Sequence, residues 1–440
     1  MVLIMAACSS KEVKQEPPKE AHESQTQPQT SKEPEKPRDE SVEQPEEPQI
    51  PQDMPLTRLE FLRTAMLPVG STMYVYGGGW NEEDTAAGEE AVTIGISPRW
   101  KEFFEKQDAS YDDLKTEYQI HDGLDCSAYI GWAVYNVLQK ENGKEGYVYP
   151  SRALADKYEE LGLGQTVPIE ESELKPGDII SMKDHAWICM GEMEDGSYLV
   201  LHASPPGVMI NGTKGWDGGY SQAIQLAENT MRTHYPKWFE KYPNCSRGTS
   251  YISGAVGAFS WDPKIMQDPE GICGLHADKI VMLLYMKDTG NKKLNSLCDT
   301  VLAQILEPTM TDREKAYAIY CWVEESIRYS GHTKMDGWQN GAFRALTTMK
   351  GNCYAYYSAS AALLTRAGIE NMEIHEPDMS HVWNLVKMDG EWYHFDATPG
   401  WGEQRFLWTD EQMENYSYYN EDVEHEISYD WDHAEFPATP

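Results

Sequence analysis

The 440-residue chain is short of positive charge, with 37 Lys and Arg against 72 Asp and Glu and a net charge of −35. A phosphate backbone is bound by a basic face, so nucleic acid is excluded as a partner. Simple electrostatic docking on an anionic membrane is excluded for the same reason, and the acid is read as solubility. No Cys-x-x-Cys pair occurs among the cysteines at 8, 126, 189, 245, 273, 298, 321 and 353. Their spacing fits neither a zinc site nor a small disulfide framework, although a pair such as Cys245 with Cys273 stays open. No metal motif, no cofactor signature and no internal repeat is present. Beyond the N-terminus there is no run of about 18 apolar residues, so nothing else is expected to span a bilayer.

What is present is enough apolar material for cores, 40% of the chain with 11% aromatic, and a length that suggests two or three domains. The chain opens Met-Val-Leu-Ile-Met-Ala-Ala-Cys8. An apolar run, two small residues and a cysteine resemble the lipobox of bacterial lipoproteins. That resemblance implies lipidation of Cys8 and an extracytoplasmic position anchored to the cell membrane, of Gram-positive type. The apolar run is shorter than a signal peptide, so the true start is expected upstream of Met1. Residues 9–53 are Pro, Glu, Gln, Lys and Ser with little to bury, which predicts a disordered tether.

Two cysteines stand apart from the rest. Cys126 lies in Asp122-Gly-Leu-Asp125-Cys126-Ser127, followed by apolar residues at 129, 130, 133, 134, 137 and 138. This spacing predicts an amphipathic helix capped by Asp122 or Asp125. Cys126 then sits in its first turn, where unpaired N–H groups favour a low-pKa thiolate. Downstream, Pro176-Gly177-Asp178 feeds a strand, and two more strands carry His185 and His202. If 191 and 198 flank the loop, 187 opposes 202, and the two histidines are diagonal neighbours. A cysteine beside a histidine that a second polar group orients is a nucleophile–base pattern.

Tyr74-Val-Tyr-Gly77-Gly78, Asp125-Cys126-Ser127, Pro-Gly177-Asp178, His185 and His202, in that order over about residues 55–262, resemble the NlpC family of papain-like cell-wall peptidases. The resemblance implies Cys126 as nucleophile, His185 as base and His202 as orienter. It implies Tyr74, Asp125 and Ser127 as the pocket for peptidoglycan stem peptides, cut after D-glutamate. The backbone N–H of Cys126, with the Tyr74 hydroxyl, would hold the oxyanion. Three features depart from the family: Ala128 and Trp187 replace glycines, and about forty residues, 79–122, are inserted. Trp187 and the insertion are expected to reshape the cleft.

The second cysteine lies in Gly351-Asn352-Cys353, at the start of a helix rich in small residues that ends at Gly368. His381–Met388 and Glu391–Asp396 flank Asp389-Gly390, which predicts a two-residue hairpin. Residue 383 then opposes 396, and His381 shares a face with Asp396 diagonally; His394 is read as a structural neighbour. Gly-x-Cys, His-x-Trp-Asn and Asp396-Ala-Thr398 resemble the transglutaminase-like core over roughly 300–410. The resemblance implies a Cys353–His381–Asp396 triad that acts on peptide or glutamine-type amides by hydrolysis or cross-linking. A cell-wall or surface protein is the partner it suggests.

The expected fold is α+β, with two separate papain-like domains after the tether. Each packs a Cys-bearing helix on an antiparallel sheet that bears the His and the third polar residue. The boundaries are 54–262, a junction over 263–299 whose helical part (277–286) packs against the first domain or bridges to the second, 300–415, and an acidic C-terminal tail over 416–440. Before the second cysteine, a helix over 312–327 is expected to turn Tyr317, Tyr320, Cys321 and Val323 inward. The rival to an enzyme is an envelope binding or adaptor protein with an inactive domain; a metal scaffold on the same residues is disfavoured by their wide spacing.

Overall fold

The computed structural model describes residues 55–79, 92–117, 119–138, 146–169, 173–249, 255–331, 333–400, 403–420 and 425–440. Cys8, the tether and residues 80–91 and 118 of the insertion lie outside the described residues. The architecture is mixed, with helices packed on antiparallel sheets.

The first sheet has six antiparallel strands, in the order Gly164–Val167, Ala255–Trp261, Ile179–Met182, Ala186–Glu192, Tyr198–Ser204 and Gly207–Gly212. Helix Cys126–Leu138 packs on one face, where Ala186, Ile188, Leu201 and Ala203 join its core. Trp187, Cys189 and Val200 form a separate cluster with Ile180 and Ala258. Asp178 takes a structural part: its carboxylate accepts from Arg58 Nη1 at 2.9 Å, which ties the sheet to helix Arg58–Met66.

Helix Cys126–Leu138 was expected to keep one polar face, yet every one of its residues is buried. The insertion is the reason. Trp100, from helix Pro98–Lys106, meets Trp132 edge-on at 6.0 Å. Trp132 Nε1 donates to Gly95 O at 3.0 Å, and Asn136 accepts from Gly95 N and donates to Thr93 O. The side of the helix that would have met water is covered by residues 93–100.

The second sheet is a four-stranded antiparallel meander of Asn371–His375, Val382–Met388, Glu391–Asp396 and Arg405–Trp408. Helices Lys292–Ile305, Asp312–Ser326, Trp338–Thr348 and Cys353–Arg366 build its core. The capping box of Thr311 and Glu314 starts the second of these. Its buried stripe is Ala316, Ile319, Tyr320 and Val323. Tyr317, expected inside, is 43% exposed, and Cys321 is only half-buried. A 3.6-residue period that runs 316, 319/320, 323 turns them away. The small residues of the Cys353 helix do admit a close neighbour: a Cβ at Gly341 would fall 2.5 Å from Ser358 Oγ.

The two sheets are not detached bodies, since the described residues form one compact unit. Strand Leu56–Thr57 pairs in parallel with Met266–Gln267, so the first fold reaches past residue 262. Helix Ala277–Leu284 joins the first core as expected, while Met282 and Met286 also pack on the second. Buried Asp299 accepts from Arg366 Nε and Nη2 at 2.8 and 3.0 Å, and from Arg63 Nη2 at 2.8 Å. One carboxylate thus joins the first helix of one core to the Cys353 helix of the other. All seven described cysteines are free, so Cys245 and Cys273 are not paired.

Candidate active sites

Cys126 is the first residue of its helix and only 7% exposed. Asp125 Oδ1 accepts from Ala128 N at 2.8 Å and Ser127 Oγ at 2.9 Å, and so caps the helix. A parallel bridge between Tyr74 and Leu124 brings Tyr74 beside the same turn. On the sheet, Ile188 pairs with Leu201 and Cys189 with Val200, a register that by extension sets 187 opposite 202. The loop is nevertheless flanked by 192 and 198, because the register slips one residue between Cys189 and Gly191. His185 Nε2 lies 3.1 Å from His202 Nδ1. Tyr74, Asp125, Cys126 and Ser127 all line one cavity of about 1130 Å³.

The electrostatics of this site correct one expectation. The helix N-terminus was expected to hold Cys126 as a low-pKa thiolate. Instead, burial and the neighbouring Asp125 push its thiol up to about 12, against the N–H groups of Ala186, Ser127 and its own residue. Desolvation of an anion outweighs the helix-end dipole here. Burial pushes His185 down to about 4, and burial together with His185 holds His202 well below the ordinary histidine value. Around pH 7 the site holds a neutral thiol and neutral imidazoles, so the nucleophile must be generated by proton transfer as substrate binds.

Trp187 was expected to reshape the cleft. It lies instead in the cluster with Ile180, Cys189, Val200 and Ala258 and does not line the cavity. The insertion does: Arg99, Gln119, Ile120, His121 and Asp122 form part of the wall.

At the second site Cys353 opens helix Cys353–Arg366, follows an extended Asn352 and is also 7% exposed. The hairpin forms as expected, with Met388 opposite Glu391 and Asn384 opposite Phe395. Asp389 and Gly390 take the positive φ values of 54° and 93° that a two-residue turn of this kind needs. His381 Nε2 lies 2.9 Å from Asp396 Oδ2, which leaves Nδ1 for Cys353, whose side chain hydrogen-bonds the imidazole. Trp383 stacks on His381 at 5.3 Å. His394 is a neighbour, as expected, held by Asp410 at 2.8 Å and by Trp383 Nε1 at 3.0 Å.

The charge state here is the reverse of the first site. Burial alone would lower His381, but Asp396 and Cys353 raise it to about 10. Burial alone would raise Asp396, but Arg405, His381 and Tyr429 hold it far below the usual carboxylate range. His381 is therefore an imidazolium at neutral pH, placed between a carboxylate and the sulfur.

Two residues of this site went unnoticed in the sequence. Arg405 Nε reaches Asp396 Oδ2 at 3.2 Å. Tyr429 OH donates to the same oxygen at 2.5 Å, and its ring meets His381 edge-on at 5.3 Å. Tyr429 lies in the segment read as an acidic tail, yet Tyr429 and Trp431 are buried against Ile374, Trp383 and Leu385. The aromatic spacing Tyr429-x-Trp431 was the available signal. Tyr429→Phe is expected to slow the second site about tenfold, the worth of one hydrogen bond to a charged group. Hydrolysis of an activated ester by Cys126→Ala protein reads Cys353 alone; an unchanged rate at unchanged stability would show that the hydroxyl does not matter.

Residues 299–397 match the family model of the transglutaminase-like superfamily. The chain carries a transglutaminase-like domain. Cys353, His381 and Asp396 all fall inside the matched stretch. The human kyphoscoliosis peptidase is similar at 26% identity over 121 residues, 24% of this chain and 18% of that protein. The chain thus spans under a fifth of the curated relative. A solved structure of a candidate cysteine protease from Cytophaga hutchinsonii is 23% identical over 28% of this chain and 43% of that one, with a TM-score of 0.21.

Proposed function

We propose that the protein is a cell-envelope thiol hydrolase with two working centres. The first cuts peptidoglycan stem peptides at γ-D-glutamyl bonds, in the manner of the NlpC family. The second, in the transglutaminase-like domain, attacks peptide or glutamine-type amides, with a cell-wall or surface protein as its partner. Cys8 carries the lipid that holds both at the outer face of the membrane.

The observation that carries the first part is one cavity shared by Tyr74, Asp125, Cys126 and Ser127, with the N–H of Ala186, the neighbour of His185, hydrogen-bonded to the Cys126 sulfur and His185 paired with His202. Cys126 Sγ attacks the amide carbonyl while its proton passes to His185, which His202 holds in orientation. The oxyanion forms beside the backbone N–H of Cys126. The amine leaves with the proton from His185, and water then hydrolyses the thioester. At Cys353 the imidazolium of His381 is already present to protonate a leaving amine, and Asp396 holds the ring in orientation. The acyl group then passes to water or to an amine.

The full chain, Cys126→Ala, Cys353→Ala and the double variant should each be incubated with purified muropeptides. The full chain and Cys353→Ala are expected to release cleaved stems; Cys126→Ala is expected to lose this activity by several orders of magnitude. Equal cleavage by Cys126→Ala would overturn the assignment.

A further inference from the structure

The cavity of the first site carries charges that acyl transfer does not need. Its lining includes Arg99, Arg152 and Lys183, in a chain with almost twice as many acids as bases. Arg99 is committed, 2.9 Å from Asp122. Among the described residues, Arg152 and Lys183 make no side-chain ion pair or hydrogen bond, though Asp184 shares the rim. Asp125 is turned to the helix start, accepting from Ser127 and Ala128.

The two unpaired cations stand together. Arg152 lies in the short 3-10 turn Ser151–Ala153. Lys183 lies in the turn between strands Ile179–Met182 and Ala186–Glu192, two residues before His185. Ser151 Oγ donates to the Lys183 carbonyl at 3.5 Å, so the two loops touch. One guanidinium and one ammonium thus share the rim next to the His185 turn. A planar fork beside a point charge is a fit for a carboxylate.

We propose that Arg152 and Lys183 form a carboxylate subsite that makes the first centre select anionic peptides. The inference rests on the γ-glutamyl reading of that centre. When glutamate is linked through its side chain, its α-carboxylate stays free, close to the bond to be cut. That carboxylate is the group the subsite takes. A peptide in which it is a carboxamide has the same shape and no charge to offer.

The test uses the full chain and a pair of synthetic stem peptides, L-Ala-γ-D-Glu-L-Lys with the α-carboxylate free and the same peptide with the α-carboxamide. The full chain is expected to prefer the carboxylate peptide by about 10–100-fold in kcat/KM, mostly through KM, as hydrogen bonds to a charged group imply. Arg152→Ala with Lys183→Ala should bring that ratio near one, and added salt should narrow it, because the rim is exposed to solvent. Binding of both peptides to Cys126→Ala protein, by calorimetry, should follow the same ratio. Cleavage of both peptides at equal rates would overturn the subsite and leave the γ-glutamyl reading standing. A preference that survives the double substitution would overturn it too. Failure to bind or cut either peptide would overturn both.

Discussion

Asp396→Asn is expected to lower turnover at the transglutaminase-like site on the order of 10⁴-fold, the scale on which a triad carboxylate matters. The Asp396 carboxylate accepts from His381, Arg405, Tyr429 and the Thr398 N–H. An amide in its place must turn its NH₂ toward at least one of these donors. His381 then loses the larger of the two influences that hold it at about 10, and only Cys353 still opposes burial. It should become a neutral imidazole at pH 7, with no proton ready for the leaving amine. Ester hydrolysis by Cys126→Ala protein, with and without the second substitution, measures the loss; a drop under about tenfold would remove Asp396 from the triad.

The same pair links stability to pH. His381 in the folded chain binds its proton up to about pH 10, whereas an unfolded histidine releases it near 6.5. The folded state therefore holds more protons between those values. Its extra stability is complete below about 6.5 and is lost as pH rises through about 10. Urea midpoints of the wild type should fall across that window, and those of Asp396→Asn should fall less.

Asp299→Ala is expected to cost about 3–5 kcal/mol, the penalty for leaving a buried charge without its partner. The Asp299 side chain is fully buried, and Arg366 is nearly so. Arg366 keeps the Met286 and Lys287 carbonyls but loses its ion-pair partner. Arg63 keeps Leu283 O and can turn toward water more easily. Because the carboxylate joins helices of both cores, the loss should also separate the unfolding of the two sheets. Urea unfolding followed by tryptophan fluorescence would show this as two transitions where the wild type has one. A shift below about 1 kcal/mol would mean that water screens the network.

The second site was more legible than the first. Asp389-Gly390 between two apolar runs sets the hairpin register, and register with strand alternation places His381 diagonal to Asp396 from sequence alone. At the first site alternation set 187 opposite 202, in line with the observed pairing of Ile188 with Leu201, although a one-residue slip before Gly191 moved the loop. At Gly191, beside that slip, φ is 136° and a Cβ would fall 2.9 Å from Ile280 Cδ1, a contact with a helix far along the chain that no local pattern shows. The expected thiolate at Cys126 failed because helix position is a local signal, whereas the desolvation that raises the thiol comes from everything packed around it.

The sequence by itself determined the two cysteines at helix starts, the strand partners of each, and the lack of basic charge. The first two follow from short-range rules of capping, alternation and turn chemistry, and the third from composition alone. Only the tertiary structure decided the rest. It brought Arg405 and Tyr429 onto one carboxylate oxygen, joined two cores through Asp299, and turned Trp187 away from the cleft. It also gave the two centres opposite charge states, because a side chain's pKa is set by the charges and the desolvation around it, and these come from residues far away in the chain.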